Sequence, residues 1–326
     1  MSNDKILNKV TKITSPAGQV GVTTLANYMA MLFADKGYLT AVIELNRYYS
    51  STPYIQDNVE LHKEKSLSVA IESNDEAKII DSFIQSKHHD NLFTLSLRVN
   101  NEIHDLHKYG IGQIEKIIRI SRGRFDKIFI DAPMNYLDNG FFASIHARPD
   151  QTFIVMDENI ANWQALKKYD VFLSSIKTQY KKVHMVVNKH HGILKSEFYK
   201  EIAKDMGPLG FEDVITIPYM PEIIRSNNDG IILADQLAVR KKDRYLTDAL
   251  DLMVKNIEKK PEVTKEKKNV FKNMFGKKKK DEKSSIEDTV AKEADSYDTQ
   301  RSKLQESLKK MKTKKSKKTA TTSVEE

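Results

Sequence analysis

The sequence predicts an α/β fold, a doubly wound and mostly parallel sheet flanked by helices, followed by a disordered basic C-terminal tail. Three observations carry that expectation. Apolar runs alternate with helical periods through residues 1–258. The runs are nearly continuous in Val, Ile, Phe and Leu, as burial on both faces of a parallel sheet demands. A glycine-bearing turn, SPAGQVGVTT at 15–24, joins the first run to the first helical period. Such alternation implies right-handed crossovers, with ligands bound at the carboxyl ends of the strands.

Taken in order, a strand at 10–14 leads through that turn into a helix at 23–36. The run LTAVIEL gives a strand at 39–45, and a helical period follows at 76–87. A strand at 92–97 precedes a helix at 111–121, and FDKIFIDAP carries the strand 126–131 before a helix at 138–146. Strands at 151–156, 182–188 and 213–217 then alternate with helices at 160–176, 195–206 and 240–257. The stretch IPYMPEIIRSNNDG (217–230) reads as a late loop.

At 326 residues the chain is long for one domain and short for two large ones. Its net charge of +8 is unevenly spread. Residues 259–326 hold 21 Lys/Arg against 12 Asp/Glu, a net of +9, leaving 32 against 33 in residues 1–258. The basic character therefore belongs to a tail at 259–326 and not to the folded domain at 1–258. There are no cysteines, which excludes disulfides, thiol nucleophiles and Cys-based metal sites. MSNDKILNKV carries no signal-peptide pattern, and no apolar run approaches ~18 residues, so a cytoplasmic location is expected.

The turn at 15–24 has the outline of a phosphate-binding loop. In G-x-x-x-x-G-K-[ST], backbone N–H groups cradle phosphates, the Lys reaches the β/γ-phosphates and the hydroxyl meets Mg²⁺. Gly18, Gly21, Thr23 and Thr24 hold their places, but Val22 stands where the Lys belongs. The backbone from Gly18 to Thr24, at the start of a helix, still forms an anion site. Losing one charge-assisted interaction costs ~1.5–3 kcal/mol, roughly 10- to 150-fold in affinity. Gln19 also resists a positive φ that Gly accepts cheaply. Nucleotide binding is thus weakened and not excluded, and the plainer alternative is a vestigial strand-to-helix turn.

These residues resemble the deviant Walker A motif of the MinD/ParA family of P-loop ATPases, whose pattern is roughly KGGxGKTT. On that resemblance Ala17 takes the place of the signature Lys that reaches across a dimer, and Gln19 replaces a Gly. The family's second strand ends in D-x-D, here Glu44 and Asn46. FDKIFIDAP (125–133) is similar to the Walker B-like strand with Asp131 intact, MVVNK (185–189) to the strand ending in a base-contacting Asn, here Asn188, and 217–230 to the loop that packs over the base. The resemblance covers about residues 8–255 and implies ATP bound weakly, with Mg²⁺ on Thr23 and, through water, Asp131. It also implies a homodimer formed face to face across the nucleotide.

The implied chemistry is impaired. Phosphoryl transfer rests on positioning and charge stabilisation, and Ala17, Val22 and Asn46 replace Lys, Lys and Asp. Glu44 and Arg47 stand close by in sequence, and Arg47 is the residue that could offer a rescue. Among other candidates, His88–His89 and His190–His191 are adjacent pairs without a helical ligand spacing, and read as surface loops. Trp163 reads as core or partner-facing packing. No Ser/His/Asp arrangement stands out.

In the tail, NVFKNMFGKKKK (269–280) sets Val270, Phe271, Met274 and Phe275 on one face of a helix at about 268–276, followed by Lys277, Lys278, Lys279 and Lys280. The segment resembles the C-terminal membrane-targeting helix of MinD, and its pattern independently suits insertion into an anionic interface. A solvated lysine run or a nucleic-acid patch is the alternative. Residues 281–300 read as disordered, and 301–318 as a weakly helical charged stretch. The expected protein is a pseudo-ATPase at the inner face of the cell membrane, a spatial organiser or assembly adaptor for a pilus, secretion or conjugation machinery with an unknown protein partner, similar to the degenerate TadZ/CpaE branch. The receiver-like N-terminal domain often found in that branch is not expected here. Alternatives are a ParA-like protein binding nucleoid DNA, which the near-neutral domain disfavours, and a working ATPase with an unusual loop.

Overall fold

The computed structural model describes residues 9–45, 50–60, 64–97, 110–133, 149–166, 182–205, 213–228 and 244–258. The chain divides into units Met1–Lys260 and Pro261–Glu326, and all described residues lie in the first. Asn46, Arg47, the expected helix at 138–146, the second half of that at 160–176 and the tail with Val270, Phe271, Met274, Phe275 and Lys277 to Lys280 lie outside the described residues.

The strands are β1 (Val10–Ser15), β2 (Thr40–Glu44), β3 (Ile84–Gln85), β4 (Leu92–Leu95), β5 (Lys127–Pro133), β6 (Gln151–Met156), β7 (Val183–His190) and β8 (Val214–Pro218). They form one sheet in the order β3-β4-β2-β5-β1-β6-β7-β8. Every neighbouring pair is parallel except β3 with β4. The described helices are α1 (Val22–Asp35), α2 (Thr52–Ile55), α3 (Leu67–Glu72), α4 (Glu76–Asp81), α5 (Ile111–Arg124), α6 (Ser196–Asp205), α7 (Pro221–Asn228) and α8 (Arg244–Glu258), with further helical turns at 160–166. This is the doubly wound, mostly parallel architecture that the sequence predicts.

Burial explains the near-continuous apolar strands. On one face, Leu25, Met29 and Phe33 of α1 and Leu250, Met253 and Ile257 of α8 share a core with Ile13, Phe129, Phe153, Val186 and Ile215. On the other, Ile114, Ile117 and Ile118 of α5 join Ile43, Leu95, Ile128 and Ile130. A third cluster unites Trp163, Leu166, Tyr199 and Ile202 with Ile154, Met156 and Met185. Trp163 is fully buried, its Nε1–H donates to the Asp157 carbonyl at 2.9 Å, and its ring meets Phe198 edge-on. It is a core residue.

Two departures from the sequence reading have local causes. The helix expected at 76–87 ends at Asp81, and Ile84–Gln85 pair antiparallel with β4 at the sheet edge. Ser82 Oγ donates back to the Lys78 carbonyl at 2.8 Å, and Phe83 packs on Phe125 at 4.9 Å. The apolar positions 79, 80, 83 and 84 mimic a helical period while serving two elements. Within 217–230, residues Pro221–Asn228 form a helix with Pro at its first position, where the missing N–H costs nothing. Lys12, in the central strand β1, is fully buried, and burial lowers its ammonium to about 7.

Candidate phosphate-binding site

β1 delivers the chain to the carboxyl edge of the sheet, and residues 16–21 turn it into α1. Ser15 Oγ accepts the Ala17 N–H at 3.0 Å and starts the turn. Gln19 and Gly21 both take left-handed backbone, with φ of 62° and 97°. Gly21 is needed twice over: besides its φ, a Cβ there would lie 2.4 Å from Asn188 Nδ2. It serves as the N-cap of α1 and, as glycine, makes no side-chain cap bond. First-turn N–H groups and the helix dipole make a helix end of this kind suited to an anion. Gln19, expected to resist a positive φ, adopts one.

Two residues at the end of β7 hold the turn from outside. Asn188 Nδ2 donates to the Val20 carbonyl at 2.7 Å, and Lys189 Nζ donates to the Gln19 carbonyl at 2.6 Å. Lys189 itself has φ of 55°. Thr23 Oγ1 donates to Asp131 Oδ2 at 2.5 Å, and Thr24 Oγ1 accepts from Asn227 Nδ2 at 3.1 Å. Gly18, Gly21, Thr23, Thr24, Asp131 and Asn188 all line a single cavity of about 640 Å³. Lys189 lines it too, together with Tyr219, Met220 and Ile223.

The positions that carry lysines in the pattern behave differently. Ala17 and Val22 pack against the apolar core beside α1. Val22, partly buried against that core, supplies no charge. The acids are accounted for as well. Burial pushes the Asp131 carboxyl up to about 8, the neighbouring Glu44 carboxylate adds to the rise, and the Thr23 hydrogen bond opposes it. Glu44 lies opposite Asp131 in the β2–β5 register. Its carboxylate accepts from Ser50 Oγ at 2.6 Å, Ser51 N at 3.0 Å, Ser51 Oγ at 3.3 Å and Thr52 N at 3.1 Å. It thus fastens the start of α2.

A buried polar ladder runs back from the loop. Asn27 Nδ2 donates to the Thr23 carbonyl at 2.9 Å and to Thr52 Oγ1 at 3.2 Å. Gln56 Nε2 donates to Asn27 Oδ1 at 3.0 Å, and Ser86 Oγ to Gln56 Oε1 at 3.1 Å. The histidine pairs do other work: His89 meets Asp35 at 3.1 Å, His190 meets Glu158 at 3.0 Å, and His191 stacks on Tyr219 at 4.7 Å. Among the described residues no group of three or more His, Cys, Asp or Glu is placed to hold a metal ion, and no helix is long and apolar enough to cross a membrane.

Comparison with known structures identifies the architecture. The septum site-determining protein MinD of Pyrococcus horikoshii, in complex with Mg-ADP, superposes with a TM-score of 0.61 at 14% identity, over 77% of this chain and 96% of that one. The fold is that of the MinD/ParA-type P-loop NTPases. A putative plasmid partition protein of Borrelia burgdorferi bound to AMPPNP shares it, with a TM-score of 0.55 at 18% identity, over 68% of this chain and 90% of that one. In sequence, the septum site-determining protein MinD of Neisseria meningitidis serogroup B is 22% identical over 277 residues, 82% of this chain and 99% of that protein. No family model matches the chain. In this chain the turn 16–21 joins the first strand to the first helix.

Sequence reasoning missed Lys189 and the engagement of Glu44. The first follows Asn188 directly, but its partner lies 170 residues away. The second had a local signal, since Ser50, Ser51 and Thr52 supply hydroxyls and N–H groups at a helix start.

Proposed function

We propose that the chain is a nucleotide-binding but catalytically impaired MinD/ParA-like protein that works as a membrane-associated spatial organiser or assembly adaptor. The observation that carries this is the contrast within one loop: its turn geometry and its Thr23–Asp131 pair are in place, while Ala17 and Val22 pack on the core at the lysine positions. Backbone N–H groups at the α1 N-terminus bind phosphates without side-chain charge. The Thr23 hydroxyl and the Asp131 carboxylate are two hard oxygen donors, which suits Mg²⁺ completed by water and phosphate oxygens. Such an ion would neutralise phosphate charge. The chain's own residues orient the nucleotide, and Ala17 and Val22 stand where the pattern places the lysines that stabilise a transferring phosphoryl group.

The organiser role rests on the tail. An amphipathic helix at 268–276 would insert Val270, Phe271, Met274 and Phe275 while Lys277 to Lys280 meet anionic headgroups. Each Lys contributes ~1 kcal/mol near such a surface, and each well-buried Phe ~1.5–3 kcal/mol. Ordering the segment at ~1–2 kcal/mol per residue offsets much of this. A single copy then binds marginally, and a homodimer with two copies binds far better. The partner in the assembly would be a protein, and the near-neutral charge of residues 1–258 disfavours DNA.

Flotation of the full chain with anionic and neutral liposomes tests the proposal. Wild type should float with anionic vesicles only, and Phe271→Glu/Phe275→Glu should stay at the bottom. If that double variant floats as well as wild type, the helix is not an anchor.

A further inference from the structure

The pocket contains a residue whose role the lost lysines do not explain. Gln19 sits in left-handed backbone, where a side chain is disfavoured, at a position where the resembling pattern has Gly. Such strain persists only when the surroundings hold it. The Gln19 carbonyl is held by the Lys189 ammonium at 2.6 Å, from a residue that is itself left-handed at φ 55°. Next to it, Asn188 holds the Val20 carbonyl at 2.7 Å. Two consecutive carbonyls of the turn are thus gripped by two consecutive side chains of β7. Of the two, only the ammonium makes a charge-assisted bond, which is the stronger kind.

We propose that Lys189 is a positioning residue that braces the phosphate loop, holding Gln19 in the left-handed turn that the loop needs to present its N–H groups to an anion. This deepens the assignment of the cavity as a nucleotide site and rests on it. In the brace, a cation outside the loop does by hydrogen bonding what a glycine does by lacking a side chain. The loop's shape then survives the loss of both lysines. One of the three N–H donors of Lys189 grips Gln19. The brace acts through the backbone, so it should matter less once position 19 is glycine.

The test is a double-mutant cycle on the full chain with Gln19→Gly and Lys189→Met, read by calorimetric titration with Mg-ADP and by thermal melting without ligand. Lys189→Met keeps the apolar stem and removes the donor. It should weaken Mg-ADP by about tenfold or more. In the Gln19→Gly background the same change should cost less than about threefold, and its effect on the melting midpoint should shrink in parallel. Lys189→Met within about threefold of wild type overturns the brace while leaving the nucleotide site standing. A double variant as weak as Lys189→Met alone also overturns it, because the ammonium then acts on the ligand and not on the loop. If wild type binds no Mg-ADP, the nucleotide assignment fails, and the melting cycle decides the brace by itself: coupling between the two positions supports it, and additivity overturns it.

Discussion

Thr23 Oγ1 donates to Asp131 Oδ2, a bond that joins the first turn of α1 to the carboxyl half of β5 across 108 residues of sequence. It places a hydroxyl and a carboxyl together in the lining of the cavity, which the turn 16–21 also lines. The carboxyl is also where the site is most sensitive to pH.

Burial first, and then the Glu44 carboxylate, raise Asp131 to about 8. Between its unfolded value and that pH, the folded chain keeps a proton that the unfolded chain has released. Asp131 therefore favours folding at low pH, and its contribution is lost as pH rises through about 8. Asp131→Asn should raise the thermal midpoint relative to wild type by an amount that grows from about pH 4 to about pH 8 and is small below that window. A divalent ion competes with the same proton. The gain in nucleotide affinity on adding Mg²⁺ should grow by roughly 10- to 25-fold between pH 6.5 and 8.5 in wild type, as the ionised fraction of Asp131 rises. Titrations with Mg²⁺ and with EDTA at both pH values check this, and Asp131→Asn should show no such growth.

Glu44 has a structural duty that a mutation exposes. Glu44→Ala would leave the Ser50 hydroxyl and the Ser51 and Thr52 N–H groups without their acceptor. The expected loss is ~2–4 kcal/mol in urea unfolding. Glu44→Gln keeps an acceptor and should recover part of it. It also removes a like charge, so the pH dependence assigned to Asp131 should move to lower pH in that variant.

Restoring the missing charge should help binding. Val22→Lys must withdraw a side chain that now packs on the core, at some cost in stability. Against that, a lysine on the phosphates should tighten Mg-ADP by roughly 10- to 150-fold. Calorimetry checks the gain, and an unchanged affinity would mean that the turn does not hold phosphates.

Assembly should not depend on nucleotide. Ala17 provides no lysine to reach across to a second copy, so any dimer should rest on packing. Sedimentation with and without Mg-ATP should give the same mass. A monomer that pairs only with Mg-ATP would contradict the pseudo-ATPase assignment.

Much of the architecture was legible because long buried strands leave a plain mark. Residues 151–156 are apolar enough to read as a strand end to end, and the six cavity residues followed from one turn and the ends of two strands. Elements too short to show a period were not legible: Thr52–Ile55 and Leu67–Glu72 span four and six residues. Ile84–Gln85 was lost because Phe83 and Ile84 continue the spacing of the helix before them. Lys189 was invisible for another reason. Its importance lies in a carbonyl of Gln19, and backbone groups carry no letter in the sequence.

The central claim is that this site binds a Mg-nucleotide without turning it over. The most direct measurement is phosphate release by the purified full chain at Mg-ATP concentrations shown by calorimetry to saturate it, alone and with anionic liposomes or DNA. The account predicts binding with release indistinguishable from a blank without protein. Steady turnover near about one per minute, abolished by Asp131→Ala, would contradict it.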